Sequence, residues 1–412
     1  MKTLHISVGA GFENDRRELG LMAAEALACM PEGADRYLIF ECLAERTLAK
    51  QVMADSVSNQ IDLALSHLKP SHKLCKQHGI RVVTNLGGID PVGVASGVQA
   101  ALGETCRVIA VTGDRLALDQ HDGESALSKN VYAGAEGIVS ALQSQADIVI
   151  TGRVADPALA LGPAIHSLNI DWTDWHALAN ATLAGHLIEC GTQVSGGYFS
   201  DENATVPDLD KVGPPVATVT TDSITLSKPL GGGILNRATV IEQMLYEIGD
   251  PANYITPDVV LDLTSTKADE LEQNIVRVHS AKGHPAPSQL KSLLCRHSGW
   301  FAEGTIIYVG STAATRAKAA MKILEKRIAA PDIKLEILNG HVDTVPRSLL
   351  RLALRTQEKP LATDAVNELE ALYLNGPAAG GGIRSQITPL IDTIDGLVPR
   401  DAVSYQCSHV NQ

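Results

Sequence analysis

The chain has 412 residues, too many for one small core, and its composition is that of an ordinary globular protein, with 45% hydrophobic and 20% charged residues. A net charge of −13 and an aromatic content of 4% exclude a nucleic-acid surface, which needs a cationic face and rings for bases to stack on. An anionic small molecule stays open as a partner, provided that local arginine, lysine or backbone N–H groups receive it.

The first third repeats one pattern: a short apolar run, then glycine or a polar residue, then helix-like sequence. His5 to Val8 runs into Gly9-Ala10-Gly11, and Tyr37 to Glu41 into Cys42. Arg81 to Asn85 runs into Gly87-Gly88, Arg107 to Thr112 into Gly113-Asp114, and Asp147 to Thr151 into Gly152-Arg153. Uninterrupted apolar strands rich in β-branched residues suit burial on both faces, and segments 93–103, 125–142 and 157–167 read as the intervening helices. The fold class is therefore α/β, with a doubly wound, mostly parallel sheet domain over 1–170. In such a sheet the loops after the strands gather along one edge, where ligands bind.

Residues 173–190 read as a helix, 217–228 as a strand or hairpin, and 239–248 as a helix. Strand-like segments follow at 259–263, 276–279, 290–296, 304–309 and 333–338, with helices at 313–330, near 347–356 and at 361–374. This α+β second domain covers 171–412, with a further break near 255. The seven cysteines are odd in number, dispersed and without a CxxC spacing, against both a disulfide framework and a zinc ribbon. No signal peptide and no membrane-length apolar run stands out, so a cytoplasmic protein without a membrane partner is expected.

The most suggestive stretch is Ala184 to Phe199. His186, Glu189 and Cys190 fall at helical spacings that put all three on one face. Gly191 can end the helix, and Gly196-Gly197 leaves the backbone open to close approach. The plain reading is a helix end beside a tight turn. At the first strand end, Gly9-Ala10-Gly11 lacks the third glycine of a dinucleotide fingerprint, and a phosphate or carboxylate near Arg16 suits it better. Asn85, Gly87, Gly88 and Asp114 lie in two further strand-end loops, where Asp114 either meets a ligand or caps the next helix. Arg153 either holds a substrate carboxylate or pairs with Asp156 to stiffen the loop. Gly231-Gly232-Gly233 after Lys228 and Gly380-Gly381-Gly382 before Arg384 are glycine loops beside a base, suited to cradling an anion or acting as hinges. No metal-ligand spacing, P-loop or serine-hydrolase elbow occurs.

The blocks 147–163 (DIVITGRVADPALALGP), 184–201 (AGHLIECGTQVSGGYFSD) and 239–259 (TVIEQMLYEIGDPANYITPDV) resemble the AtuA family of acyclic terpene utilisation proteins. So do GAGFENDR (9–16), CLAERTLA (42–49), NLGGIDP (85–91) and GPAAGGGIR (376–384), so the resemblance covers nearly the whole chain. It implies a cytosolic role in branched acid or acyl-CoA catabolism.

Acid/base and carboxylate-binding groups without a redox or nucleotide fingerprint lead to an expected lyase. This would be a hydratase or dehydratase for a branched or unsaturated carboxylic acid or its CoA thioester, with no separate cofactor. Glu189 or His186 would move the proton, with Arg153 and Asp156 in the same site. Gly9, Gly11, Arg16, Asn85, Gly87, Gly88, Asp114, Gly196, Gly197, Lys228, Gly232 and Arg384 would contact substrate. His186, Glu189 and Cys190 are expected to face Arg153 and the Gly9–Gly11 loop across an interdomain pocket. Two alternatives accompany this reading: a transferase with a covalent intermediate on Glu189 or Cys190, and a non-catalytic subunit or scaffold of a degradation complex. A homo-oligomer is the base expectation.

Overall fold

Aliphatic and β-branched residues build five central strands: β1 (Leu4–Ala10), β2 (Asp35–Phe40), β3 (Ile80–Thr84), β4 (Val108–Thr112) and β5 (Ile148–Thr151). The computed structural model describes residues 2–54, 57–103, 105–201 and 205–410. The five strands pair in parallel in the order β1-β2-β3-β5-β4. Their side chains alternate between two cores. Tyr37, Ile39 and Val83 point into one, and Leu38, Phe40 and Val82 into the other.

Helices α1 (Leu19–Ala28), α2 (Glu45–Ala54), α3 (Val57–Gln77) and α4 (Pro91–Leu102) follow β1 to β3. Of these, α1, α3 and α4 bury Leu27, Leu68 and Val98 in the core of Leu38 and Phe40. Helices α5 (Glu136–Gln143), α6 (Ala158–Leu168) and α7 (Trp175–Glu189) bury Ile138, Leu161 and Leu187 in the core of the opposite face. The chain moves outward from β1 to β4, then returns to insert β5 between β3 and β4. With crossovers of one hand, that reversal carries the later helices to the other face. The α/β, doubly wound architecture is thus present.

The parallel pairing is confined to the centre. Strand Val216–Val219 pairs antiparallel with β1, and Ser223–Ser227, Ile275–His279 and Lys267–Glu272 extend the sheet from it. Gln406–His409 pairs antiparallel with β4, which completes a 10-stranded mixed sheet. Residues beyond 170 therefore complete the sheet that the first residues begin. The chain divides into Met1–Asp119, Ser128–Leu294 and Ile394–Gln412 as one compact unit, and Gln120–Leu127 with Cys295–Thr393 as the other. These limits follow strand pairing and differ from the breaks near 170 and 255 expected from the switch to an α+β pattern.

The second unit is α+β. Strand Lys334–Val342 pairs with Val345–Thr356, which pairs with Gln289–Val309, and that strand also pairs with Gly380–Pro399. Helices Ala313–Arg327 and Lys359–Asn375 place Ala317, Leu324, Ala365 and Leu369 in its core. Two sequence expectations are corrected. Residues 347–356 are a strand, because burial of Leu350, Leu352 and Leu354 on alternate positions overrides the helical preference of Leu, Ala and Arg. Residues Ala126–Val131, assigned above to a helix, are also a strand, and α5 begins only at Glu136.

Candidate active site

The loops after β1, β2 and β5 and the end of α7 border a cleft of about 1300 Å³. All of its lining residues belong to the first compact unit, so it is not an interdomain pocket. Gly11, Arg153, Asp156, His186, Glu189 and Cys190 all line it, as does Gly197.

Helix α7 is fixed at both ends. Asp174 caps it by accepting from the N–H of Ala177. Gly191 follows it at φ +64°, the left-handed conformation that lets glycine terminate a helix. A side chain at Gly11 would lie 2.4 Å from the carbonyl carbon of Cys190, so only glycine lets the first strand-end loop pack against the helix end. A side chain at Gly185 would lie 2.6 Å from the carbonyl oxygen of Pro157, so α7 also sits directly on the start of α6.

The result is a buried pair at the cleft wall, with His186 Nδ1 3.0 Å from Glu189 Oε1. The ring of His186 meets that of Tyr254 edge-on at 5.3 Å. Nε2 of His186 and Oε2 of Glu189 are buried and lack a hydrogen-bond partner among the described residues. Burial, with Asp156 adding repulsion, pushes the Glu189 carboxyl up to about 7 against the pull of His186. Burial alone would depress His186, but the charge and hydrogen bond of Glu189, together with the backbone at Met244 and Gln243, leave the imidazole raised.

Glu41 stands at the end of β2, also on the cleft wall. Its Oε1 accepts from Asn85 Nδ2 at 2.9 Å and from the Leu43 N–H at 3.0 Å. Burial, then the nearby Asp156, raises it to about 8 in spite of Arg153. It therefore holds its proton at neutral pH. Tyr132 donates to Glu45; burial works against ionisation of that carboxyl, but the Tyr132 bond, a backbone N–H and the nearby Arg153 and Lys291 together hold it low. The hydroxyl of Tyr254 is pushed well up by burial and then by Glu189. Burial, followed by Glu189, also raises the Cys190 thiol, which suppresses the thiolate.

Arg153 is 2% exposed. Its Nη2 donates to Asp156 Oδ1 at 2.5 Å, its Nη1 donates to the Leu43 carbonyl, and its guanidinium lies 4.4 Å from the Tyr132 ring centre. The geometry is that of the loop-stiffening pair, with the guanidinium already engaged on two sides.

The other expected contacts are elsewhere. Gly9 is a packing glycine, where a side chain would lie 2.3 Å from the Phe40 ring. Arg16 donates to the carbonyls of Asp210 and Val212. Asn85 serves the cleft indirectly: it donates to Glu41 and accepts from the Cys42 N–H. Gly87 abuts the Thr151 carbonyl and Gly88 abuts Gln51, both outside the cleft. Asp114 is buried, accepting from the Arg153 N–H and from Asn130, and so braces the Arg153 loop from behind. Gly196 packs against Val206 and Ile234, and Gly232 against Asp208. Lys228 donates to the Gly231 carbonyl. Arg384 is exposed on a strand of the second unit.

Glu41, Glu45, Tyr132, Tyr254 and Lys291 line the cleft and were not singled out from sequence. Glu41 carried a usable signal, since it terminates an apolar strand at the sheet's carboxyl edge. Among the described residues, no group of three or more His, Cys, Asp or Glu side chains is arranged to hold a metal ion. No helix among them is long and apolar enough to cross a membrane.

Residues 4–409 match the family model described as acyclic terpene utilisation family protein AtuA, a description that sets a catabolic context. No curated protein matches the chain. Over nearly its whole length, the chain belongs to the AtuA family of acyclic terpene utilisation proteins.

Proposed function

We propose that the cleft hydrates, or in reverse dehydrates, a branched or unsaturated acyl compound, making the protein a lyase of terpene-type catabolism. The observation that carries this reading is the buried His186–Glu189 pair, both residues of which line a large cleft. Adding water to a carbon–carbon double bond conjugated to a carbonyl needs a base for water and an acid for the α carbon. Glu189, held near 7 and supported by His186, takes a proton from water. The oxygen bonds to the β carbon, and the α carbon receives the proton that Glu41 keeps at neutral pH. Tyr254, protonated and adjacent to His186, would donate to the enolate oxygen.

A thioester suits this wall better than a free acid. Glu45 and Asp156, and Glu189 once ionised, would repel a carboxylate, and Arg153 is already paired. The covalent-transfer reading is less well supported, because burial and Glu189 together hold Cys190 as a thiol.

The test is an assay of branched α,β-unsaturated CoA thioesters and the matching free acids, followed by loss of enoyl absorbance. Hydration of the thioesters by the wild type, abolished in E189Q, supports the proposal. Wild-type turnover by E189Q removes Glu189 from the mechanism. A trapped acyl adduct on the Ala184–Phe199 segment replaces hydration with transfer.

A further inference from the structure

We propose that a second cavity, at the amino edge of the parallel sheet, is a binding site for a phosphate dianion, either inorganic phosphate or the terminal group of a phosphate ester. The cavity has a volume of about 640 Å³ and lies entirely in the first compact unit. It is bordered by the end of α3, the starts of β3 and β5, and the last turn of α6. The acid/base cleft opens at the opposite, carboxyl edge, so the two sites are separate and this inference does not rest on the proposed reaction.

Its charge is what sets it apart. The chain carries a net charge of −13, yet this cavity is lined by His72, Lys76, Arg81 and His166 against one carboxylate, Asp147. That carboxylate is turned to the backbone, where it accepts from the Arg107 N–H at 2.7 Å. The bases come from three different elements, and three of the four are held by contacts. Lys76 Nζ donates to Thr105 Oγ1 at 2.8 Å, and Arg81 lies 3.6 Å from Asp35 and 5.1 Å from the Tyr37 ring centre. His166 Nδ1 is 3.1 Å from the Tyr37 hydroxyl.

Within this cavity Lys76 and Arg81 each disfavour protonation of a neighbouring histidine. Burial, then Lys76, depresses His72, and burial, then Arg81, depresses His166. Asp147 and Asp35 oppose these effects without overcoming them. A dianion between the four bases relieves that repulsion, and a phosphate also accepts several N–H bonds at once.

The experiment uses the full chain and titrates inorganic phosphate, and separately glycerol phosphate, at constant ionic strength. Two readouts are followed: the thermal midpoint and the imidazole resonances of His72 and His166. The expected result is a rise in the midpoint, a raised pKa for both histidines, and at least tenfold weaker binding in K76Q/R81Q. E189Q should bind as wild type does. Preference for glycerol phosphate over inorganic phosphate would identify an ester as the ligand. If the double variant fails to fold, K76Q and H72Q singly give the same comparison. Histidine resonances that do not move, or equal binding by K76Q, H72Q and wild type, would overturn the assignment.

Discussion

Arg153 and Asp156 are joined by a 2.5 Å charge-assisted hydrogen bond across three residues, and this bond decides what the buried arginine of the cleft wall can do. Because Nη1 also reaches the Leu43 carbonyl, the guanidinium ties the loop after β5 to the loop after β2. Replacing it in R153M strands Asp156 beside Glu41 and Glu189 without its counter-charge. The expected loss is about 1–3 kcal/mol of stability, less than for a fully buried pair because a third of the Asp156 side chain is open to solvent. R153K should lose less but still be destabilised, since an ammonium cannot make the two-pronged contact. Urea unfolding measures both. An R153M variant as stable as wild type would show that the pair contributes nothing to the loop.

The His186–Glu189 pair predicts a different signature. E189Q, which keeps the side-chain size, and H186N, which is smaller but keeps a donor and an acceptor, should fold, and both should lose turnover by roughly 10²- to 10⁴-fold. Because the two groups act together, H186N/E189Q should lose little more than either single variant. Multiplicative losses would mean that the two side chains act independently.

The parallel core was legible because burial on both faces writes an uninterrupted apolar run, as in β2 and β5. The carboxyl-edge rule then brings Gly11 and Arg153 to one cleft, and helical spacing aligns His186 with Glu189. The roles of Arg16 and Lys228 were not legible. A base beside glycines reads alike whether it receives an anion or, as here, closes a loop on backbone carbonyls. Glu41 escaped for a related reason. Its held proton comes from burial and from Asp156, a residue more than a hundred positions away. The strand at Val345–Thr356 was hidden by residues that favour helices until cross-strand pairing decides otherwise.

Cys190 tests the covalent alternative directly. With its thiol raised by burial and by Glu189, it should react slowly with iodoacetamide near neutral pH. C190S should retain most of the wild-type turnover. Rapid alkylation accompanied by loss of activity would restore the cysteine as a nucleophile.

Gly11 carries a steric prediction. A methyl group there would lie 2.4 Å from the carbonyl carbon of Cys190, which is backbone and cannot swing aside. G11A should therefore displace the end of α7, costing about 1–3 kcal/mol by overpacking and lowering activity more than stability alone explains. Thermal unfolding and turnover measured on the same preparation check this. Unchanged values for both would mean that the loop and helix do not meet as closely as described.

Glu41 gives the sharpest dependence on pH. Its folded carboxyl titrates at about 8, above the ordinary value of 4.5, because burial and Asp156 penalise the ionised form. A group raised in the folded state stabilises fully below its unfolded pKa, and that contribution is lost as pH rises through the folded one. The wild type should thus lose stability between about pH 4.5 and 8, by an amount on the order of a few kcal/mol. E41Q, which cannot ionise, should lack this loss and melt higher than wild type at alkaline pH. Activity adds a second constraint. If Glu189 must be ionised and Glu41 protonated, kcat/KM for hydration should fall below about 7 and above about 8. E41Q should lose the alkaline limb together with most of the rate. A variant with full activity and an unchanged alkaline limb would place the acid elsewhere in the cleft, while a stability profile parallel to wild type would deny Glu41 its held proton.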